Sequence, residues 1–271
     1  MMPDFNQKVR LGQTDLFCGR LGISSSFGAP GAAFEEAFER GCNYFTWGTF
    51  VRGRSSEMKK AIRNILKAGK RDELVIAMYS YAHLSFITEY FYKKGLKDLG
   101  VDYADELILG YYPGEPSGKM MDKVLKLKDK GLVRYVGLSG HKRTSFPKLH
   151  EKGMIDIHHI RYNPANRGGE KDCFPELVGE GKPGIVTFTA TRWGQLLSEK
   201  KMPPNTKPLL ASECYRFCLS HPAVDVCMMG AKNMDEMREN LKALDQGPLS
   251  EEEMHRVLSV GDHVYGKRPV K

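Results

Sequence analysis

The chain has 271 residues, 41% hydrophobic and 27% charged, with 41 lysines and arginines against 33 aspartates and glutamates for a formal charge of +8. That length and balance fit one globular domain with a sizeable core and exclude a disordered chain. No apolar run approaches the roughly 18 residues of a membrane span, and the Met1–Asn6 start has no basic stretch followed by an apolar one, so a cytoplasmic protein is expected.

The basic residues are mixed with acids, and in Lys123–Lys130 the lysines fall on the outer face of a helical pattern. Such a face is a solvated surface, so neither nucleic acid nor membrane is expected as a partner. The same balance suits an anionic small molecule such as a dinucleotide. The six cysteines (18, 42, 173, 214, 218 and 227) include no CxxC pair and sit mostly in apolar segments. Buried, reduced thiols and no metal are expected.

In chain order, Lys8–Phe17 reads as a hairpin around Gly12–Asp15, followed by strands over Arg20–Ser24 and Asn43–Trp47. A helix over Ser55–Ala68 closes on Gly69, a strand covers Glu73–Tyr79, and a helix over Ser85–Leu99 closes on Gly100. A strand over Glu106–Tyr111 and a helix over Lys119–Lys130 come next, then strands over Val133–Ser139, Ile155–Tyr162 and Gly184–Thr189. A helix carries Cys214 and Cys218, the last strand is Val224–Met229, and helices over Asp235–Leu244 and Glu251–Val260 close the chain. Eight strands alternating with helices predict a parallel (β/α)8 TIM barrel, one domain over residues 1–271, with an N-terminal hairpin and an extra C-terminal helix. In that architecture the site is built by the loops after the strands.

Several of these segments are similar to the aldo-keto reductases. Val9–Thr14 with Arg20-Leu21-Gly22 resembles the family's first hairpin and strand, and Gly41–Phe45 with Ser55-Ser56-Glu57 its second strand and following helix. Asp102–Asp105, Val133–His141, Arg161-Tyr162-Asn163, Gly230-Ala231-Lys232 and Glu239-Asn240 continue the resemblance in the family's order and spacing. The resemblance implies hydride transfer between a nicotinamide and a carbonyl, with a tyrosine as acid, acidified by a lysine that an aspartate holds, and a histidine orienting the substrate oxygen.

Those four positions carry other residues. With Glu57 fixing the register, Thr46 stands at the aspartate position, Val51 at the tyrosine, Tyr79 at the lysine and Gly110 at the histidine. Valine and glycine can neither donate a proton nor hydrogen-bond a carbonyl through a side chain. Tyr79, Tyr111 and His83, with Tyr81 and Tyr112 nearby, are the candidates for a relocated acid.

The cofactor positions implied by the resemblance are Ser139 and His159 for the nicotinamide amide, Phe188 for its ring, and Arg192 and Gly194 for the pyrophosphate. Gly230, Lys232 and Asn240 would serve the adenosine end. Lys232 favours NADP(H) over NAD(H), while Glu236 would repel a nearby phosphate. Three readings follow: a divergent oxidoreductase, a catalytically silent dinucleotide-binding or regulatory barrel (a pseudoenzyme), and a barrel repurposed for lyase or isomerase chemistry.

Overall fold

The computed structural model describes residues 3–48 and 55–266. Val51 lies outside the described residues. A two-stranded antiparallel hairpin, β1 (Val9–Arg10) and β2 (Phe17–Cys18), precedes eight parallel strands. These are β3 (Leu21–Ser24), β4 (Tyr44–Trp47), β5 (Val75–Ser80), β6 (Ala104–Leu109), β7 (Val133–Gly140), β8 (Ile157–Arg161), β9 (Gly184–Phe188) and β10 (Val226–Met229), and β10 pairs with β3 to close the barrel.

Each strand sorts its residues by parity. Tyr44, Val75, Ala77, Ile108, Ile157, Val186, Val226 and Met228 pack with one another inside the barrel. Their neighbours Phe45, Trp47, Ile76, Met78, Leu107, Leu109, Ile160 and Cys227 belong to the larger core under the helices. Alternation of side chains along a strand sets both layers at once. Leu11, Leu16 and Cys18 of the hairpin join the inner cluster, so the hairpin plugs one end and leaves the C-terminal strand ends as the mouth.

Around the strands run α1 (Gly31–Glu39), α2 (Ser56–Lys67), α3 (Ser85–Leu99), α4 (Gly118–Asp129), α5 (Phe146–Glu151), α6 (Gly169–Asp172), α7 (Ala211–Leu219), α8 (Met234–Gln246) and α9 (Glu251–Gly266). Helix α1 buries Ala33, Phe34, Ala37 and Phe38, a one-sided stripe at helical spacing. α9 is longer than the sequence pattern suggests, and it is tied to α7 by Arg216, whose guanidinium donates to both oxygens of Glu253 at 2.7 and 2.8 Å. Strand β6 starts and stops two residues earlier than expected, and its end falls short of Tyr111, whose left-handed φ of 63° a strand cannot continue through. All six cysteines are buried free thiols, and among the described residues no helix is long and apolar enough to cross a membrane.

Candidate active site

A polar cluster lies buried inside the barrel, below the mouth. Glu106 of β6 points inward and is completely buried, and it accepts the hydroxyl of Tyr44 from β4. His159 Nε2, on β8, lies 2.7 Å from Glu106 Oε1 and 3.4 Å from the Tyr44 hydroxyl. With Nε2–H donating to the carboxylate, a neutral ring leaves Nδ1 as an acceptor. That Nδ1 is buried and has no hydrogen-bond partner among the described residues. Room for the carboxylate comes from Gly137 on the adjacent strand, where a Cβ would stand 1.8 Å from Glu106 Oε1. Burial and then the Glu106 charge push the Tyr44 phenol well above its ordinary range.

Above this floor an aromatic stack of Tyr79 and Tyr81 covers two of the expected positions, Tyr79 itself and Gly110. Thr46 is buried, with its hydroxyl 3.3 Å from the Ile23 carbonyl. Tyr79 is half-buried and stands edge-on to His159 with ring centres 6.0 Å apart. Its other neighbour is Tyr81, stacked nearly parallel at 5.4 Å and 2°. Tyr81 in turn packs against Gly110, where a Cβ would be 2.5 Å from its ring carbons. The place a histidine side chain would leave from is thus covered by a phenol ring.

Among the described residues no ammonium stands beside these phenols, and they are weak acids. Burial raises Tyr79 well above the usual phenol range, helped by Tyr81 and Glu106, and burial with Tyr111 pushes Tyr81 up to about 12. Tyr111 is 64% exposed at the rim, 5.7 Å from Tyr81 and 5.6 Å from His141. His83 is exposed and stacks on Tyr112 at 4.4 Å, with Nε2 3.3 Å from the Gly110 carbonyl.

Among the described residues, five that are not glycine take a left-handed φ, and four of them, Tyr111, Thr189, Arg192 and Trp193, sit in the loops after β6 and β9. Strain of that kind collects where a site holds its backbone in place. Ser139 and Phe188 are half-buried at the ends of β7 and β9, and Phe188 lies 6.1 Å from the His141 ring. Gly194 closes the β9 loop with a φ of 78°. Arg192 is buried and donates from Nη1 to the Val264 carbonyl at 2.6 Å, so its guanidinium engages the end of α9.

After β10, Asn240 donates to the Gly230 carbonyl at 3.0 Å and fixes that turn against α8. Asn233 caps α8 by accepting from Glu236 N at 2.8 Å, and the Glu236 carboxylate accepts from Lys232 N at 2.9 Å. The helix start thus carries its own anion, while the Lys232 ammonium is well exposed, 3.8 Å from Glu236. Sequence reasoning passed over Tyr44 and Glu106. The signal available was an acid inside the apolar run Ala104–Leu109, a placement that burial penalises unless partners are supplied.

A closed parallel barrel with strained loops and polar strand ends gathered at one mouth defines the class of (β/α)8 barrels with a mouth site. Residues 30–210 and 209–262 match the Aldo/keto reductase family, and the chain belongs to it. It is similar to the uncharacterized oxidoreductase YqkF of Bacillus subtilis (strain 168), with 25% identity over 295 residues covering 93% of this chain and 96% of that protein. It also resembles the holo form of the aldo-keto reductase AKR11C1 from Bacillus halodurans, with a TM-score of 0.76 at 22% identity, covering 94% of this chain and 96% of that one. The apo form of the same protein gives a TM-score of 0.73 at 22% identity, with 94% and 95% covered.

Proposed function

We propose that the chain is an oxidoreductase of the aldo-keto reductase type that holds a nicotinamide dinucleotide across the mouth and works without the family's tyrosine acid. The observation that carries this is the contrast at the mouth: Ser139 and Phe188 remain half-open at their strand ends, while stacked tyrosines occupy position 79 and cover Gly110. When bound, the nicotinamide supplies or accepts hydride.

The residues present fit such a group. Leaving a buried polar atom unsatisfied costs about 1–3 kcal/mol, and His159 Nδ1 is one. As an acceptor on a neutral ring it suits a carboxamide N–H. Ser139 would bond the same amide and Phe188 would face the ring. Gly230 and Gly194 offer backbone to the phosphates, and Asn240 holds the Gly230 turn for the adenosine end. Arg192 serves this site by anchoring its loop to α9. Lys232 is the cation available to a 2′-phosphate, whereas the Glu236 carboxylate beside it opposes one. NAD(H) is therefore the better fit, with NADP(H) admitted if Lys232 turns outward.

The test is titration with NADH and with NADPH, followed by the fluorescence of Trp193, which is 73% exposed on the β9 loop, and by calorimetry. Micromolar binding is the expected result. Absence of binding at millimolar cofactor would overturn the reading. A silent dinucleotide-binding barrel is the second reading, and the weak acidity of Tyr79 and Tyr81 favours it. It predicts the same binding with no turnover.

A further inference from the structure

Helix α3 carries apolar side chains on two opposite sides. Its inner stripe, Thr88, Tyr92, Gly95, Leu96 and Leu99, is buried against the barrel. Its outer side presents Phe86, 65% exposed, and Tyr90, 63% exposed, with Leu84 at 55% just before the helix and Phe91 at 45% beside them. Phe86 and Tyr90 are four positions apart and so stand one above the other, and the Tyr90 and Phe91 rings meet edge to face at 5.2 Å and 79°. A helix on the surface of a domain keeps one apolar stripe and one polar face, and a helix apolar on both sides is normally covered on both. Four large apolar side chains left open between positions 84 and 91 therefore mark an interaction surface.

Charge decides what covers it. Glu89, on the flank toward α4, is taken up by Lys93 at 2.7 Å and by Lys123 of α4 at 2.5 Å. Phe86, Tyr90, Lys94 and Lys97 follow one another at spacings of four, four and three, so the two exposed lysines continue the same outward stripe about one and two turns beyond Tyr90. Neither has an ion-pair partner among the described residues. Over α3 and α4 seven lysines stand against four acids, and the whole chain carries a formal charge of +8. Two copies meeting through this face would press two positive surfaces together, which opposes self-association and favours an anionic counterpart. The rings also stand on the convex outer side of a helix. A rigid partner would need a matching groove there, whereas the headgroup region of a bilayer deforms around such rings. Aromatic rings beside lysines are the composition that settles in a bilayer interface, with the rings at the acyl boundary and the ammoniums reaching the phosphates.

We propose that the outer face of α3, with Leu84 before it, docks this protein on anionic membrane surfaces, Phe86 and Tyr90 entering the interface while Lys94 and Lys97 hold lipid phosphates. The proposal goes beyond the dinucleotide reading and does not depend on it. Because α3 follows β5, its first turn lies at the mouth end of the barrel, next to the exposed rim rings Tyr81 and Tyr111, so docking sets that rim beside the lipid. The contact is with the membrane surface, and among the described residues no helix is long and apolar enough to cross it. The mixed charges of Lys123–Lys130, from which no membrane partner was expected, lie on α4 and at its end, whereas the open rings are on α3.

The test is flotation of the whole chain with phosphatidylcholine vesicles containing about 30% phosphatidylglycerol, against vesicles of phosphatidylcholine alone, in about 50 mM salt. Binding to the anionic vesicles should be at least about tenfold tighter and should weaken as salt is raised. The double variant Phe86→Gln with Tyr90→Gln should bind at least about tenfold more weakly through the lost burial of two rings. Lys94→Gln with Lys97→Gln should bind about 30-fold more weakly, the effect of about 1 kcal/mol per lysine. Lys200→Gln with Lys201→Gln removes the same charge from the loop after β9, across the barrel from β5, and should stay within about twofold. The tryptophan introduced by Phe86→Trp should be quenched by brominated acyl chains beyond the wild-type signal, which a purely electrostatic contact would not give. Circular dichroism confirms that each variant is folded. No binding to the anionic vesicles, equal binding to neutral ones, unchanged affinity in the ring or the lysine variant, or an introduced tryptophan that escapes quenching overturns the proposal. A dimer seen by sedimentation velocity that the ring variant dissolves, with vesicles left unbound, gives the face to a second copy and overturns it as well.

Discussion

Gly137→Ala tests the buried floor directly. The added methyl would stand 1.8 Å from Glu106 Oε1, 2.8 Å from its Cδ and 3.3 Å from its Cγ. Strand β7 cannot back away, because Gly137 is in register with Ile108 on one side and Ile157 on the other. The glutamate must move instead, and its bonds to Tyr44 and His159 go with it. Hydrogen bonds to a charged group are worth about 1.5–3 kcal/mol each, and overpacking costs about 1–3 kcal/mol. With partial relaxation, a loss of roughly 3–5 kcal/mol is expected, a large part of a typical domain's stability. The assay is urea unfolding followed by circular dichroism, for Gly137→Ala, Glu106→Ala and the double variant. Once the carboxylate is gone the methyl has space, so the two changes should be non-additive by about 2 kcal/mol or more. A Gly137→Ala protein within about 0.5 kcal/mol of wild type, or strict additivity, would refute the packing described for Glu106.

Glu236→Gln removes the carboxylate at the start of α8, and NADPH affinity should rise about fivefold relative to NADH, the effect of roughly 1 kcal/mol for one exposed charge at about 4 Å; parallel calorimetric titrations read it. Tyr79→Phe keeps the ring stacked on Tyr81 and discards only a weak acid, so cofactor affinity and any turnover should stay within about twofold in steady-state assays. His158 faces away from the mouth, packed under Phe146, with neither ring nitrogen bonded, and burial lowers its pKa from 6.5 to about 3. The unfolded chain therefore takes up a proton near pH 6.5 that the folded chain refuses until about pH 3, so stability is lost as pH falls through that window. His158→Leu should flatten the dependence in unfolding curves taken between pH 7 and pH 4, and a slope equal to that of wild type would contradict this.

Much of the architecture was legible because it depends on short-range pattern. The strand runs, the glycines after Leu99 and Lys130 and the one-sided helices needed no tertiary information. Helix α1 was overlooked although Ala33, Phe34, Ala37 and Phe38 mark its buried face, since Pro30 precedes it in place of a side chain that caps. The floor was not legible for a different reason. Tyr44, Glu106 and His159 are 62, 53 and 115 positions apart in their three pairings, and they meet only because barrel closure and stagger bring their strands to one level. Arg192 could be assigned to the β9 loop, but its bond to Val264 depends on where α9 ends, which periodicity does not set. The self-capping of α8 was half visible in Asn233 and Glu236, three residues apart, a spacing that points to a capping box as much as to phosphate repulsion.

The most direct measurement is isotopic: NADH carrying deuterium at both C4 positions of the nicotinamide is incubated with the protein and a simple aldehyde or a simple ketone, and the label transferred to carbon is followed by deuterium NMR and mass spectrometry. The account predicts that the label leaves the nicotinamide in step with substrate reduced, at a rate set by the protein concentration and kept in Tyr79→Phe. Saturating, protein-bound NADH that retains its deuterium with both substrates would contradict it and leave the barrel a binder without redox chemistry.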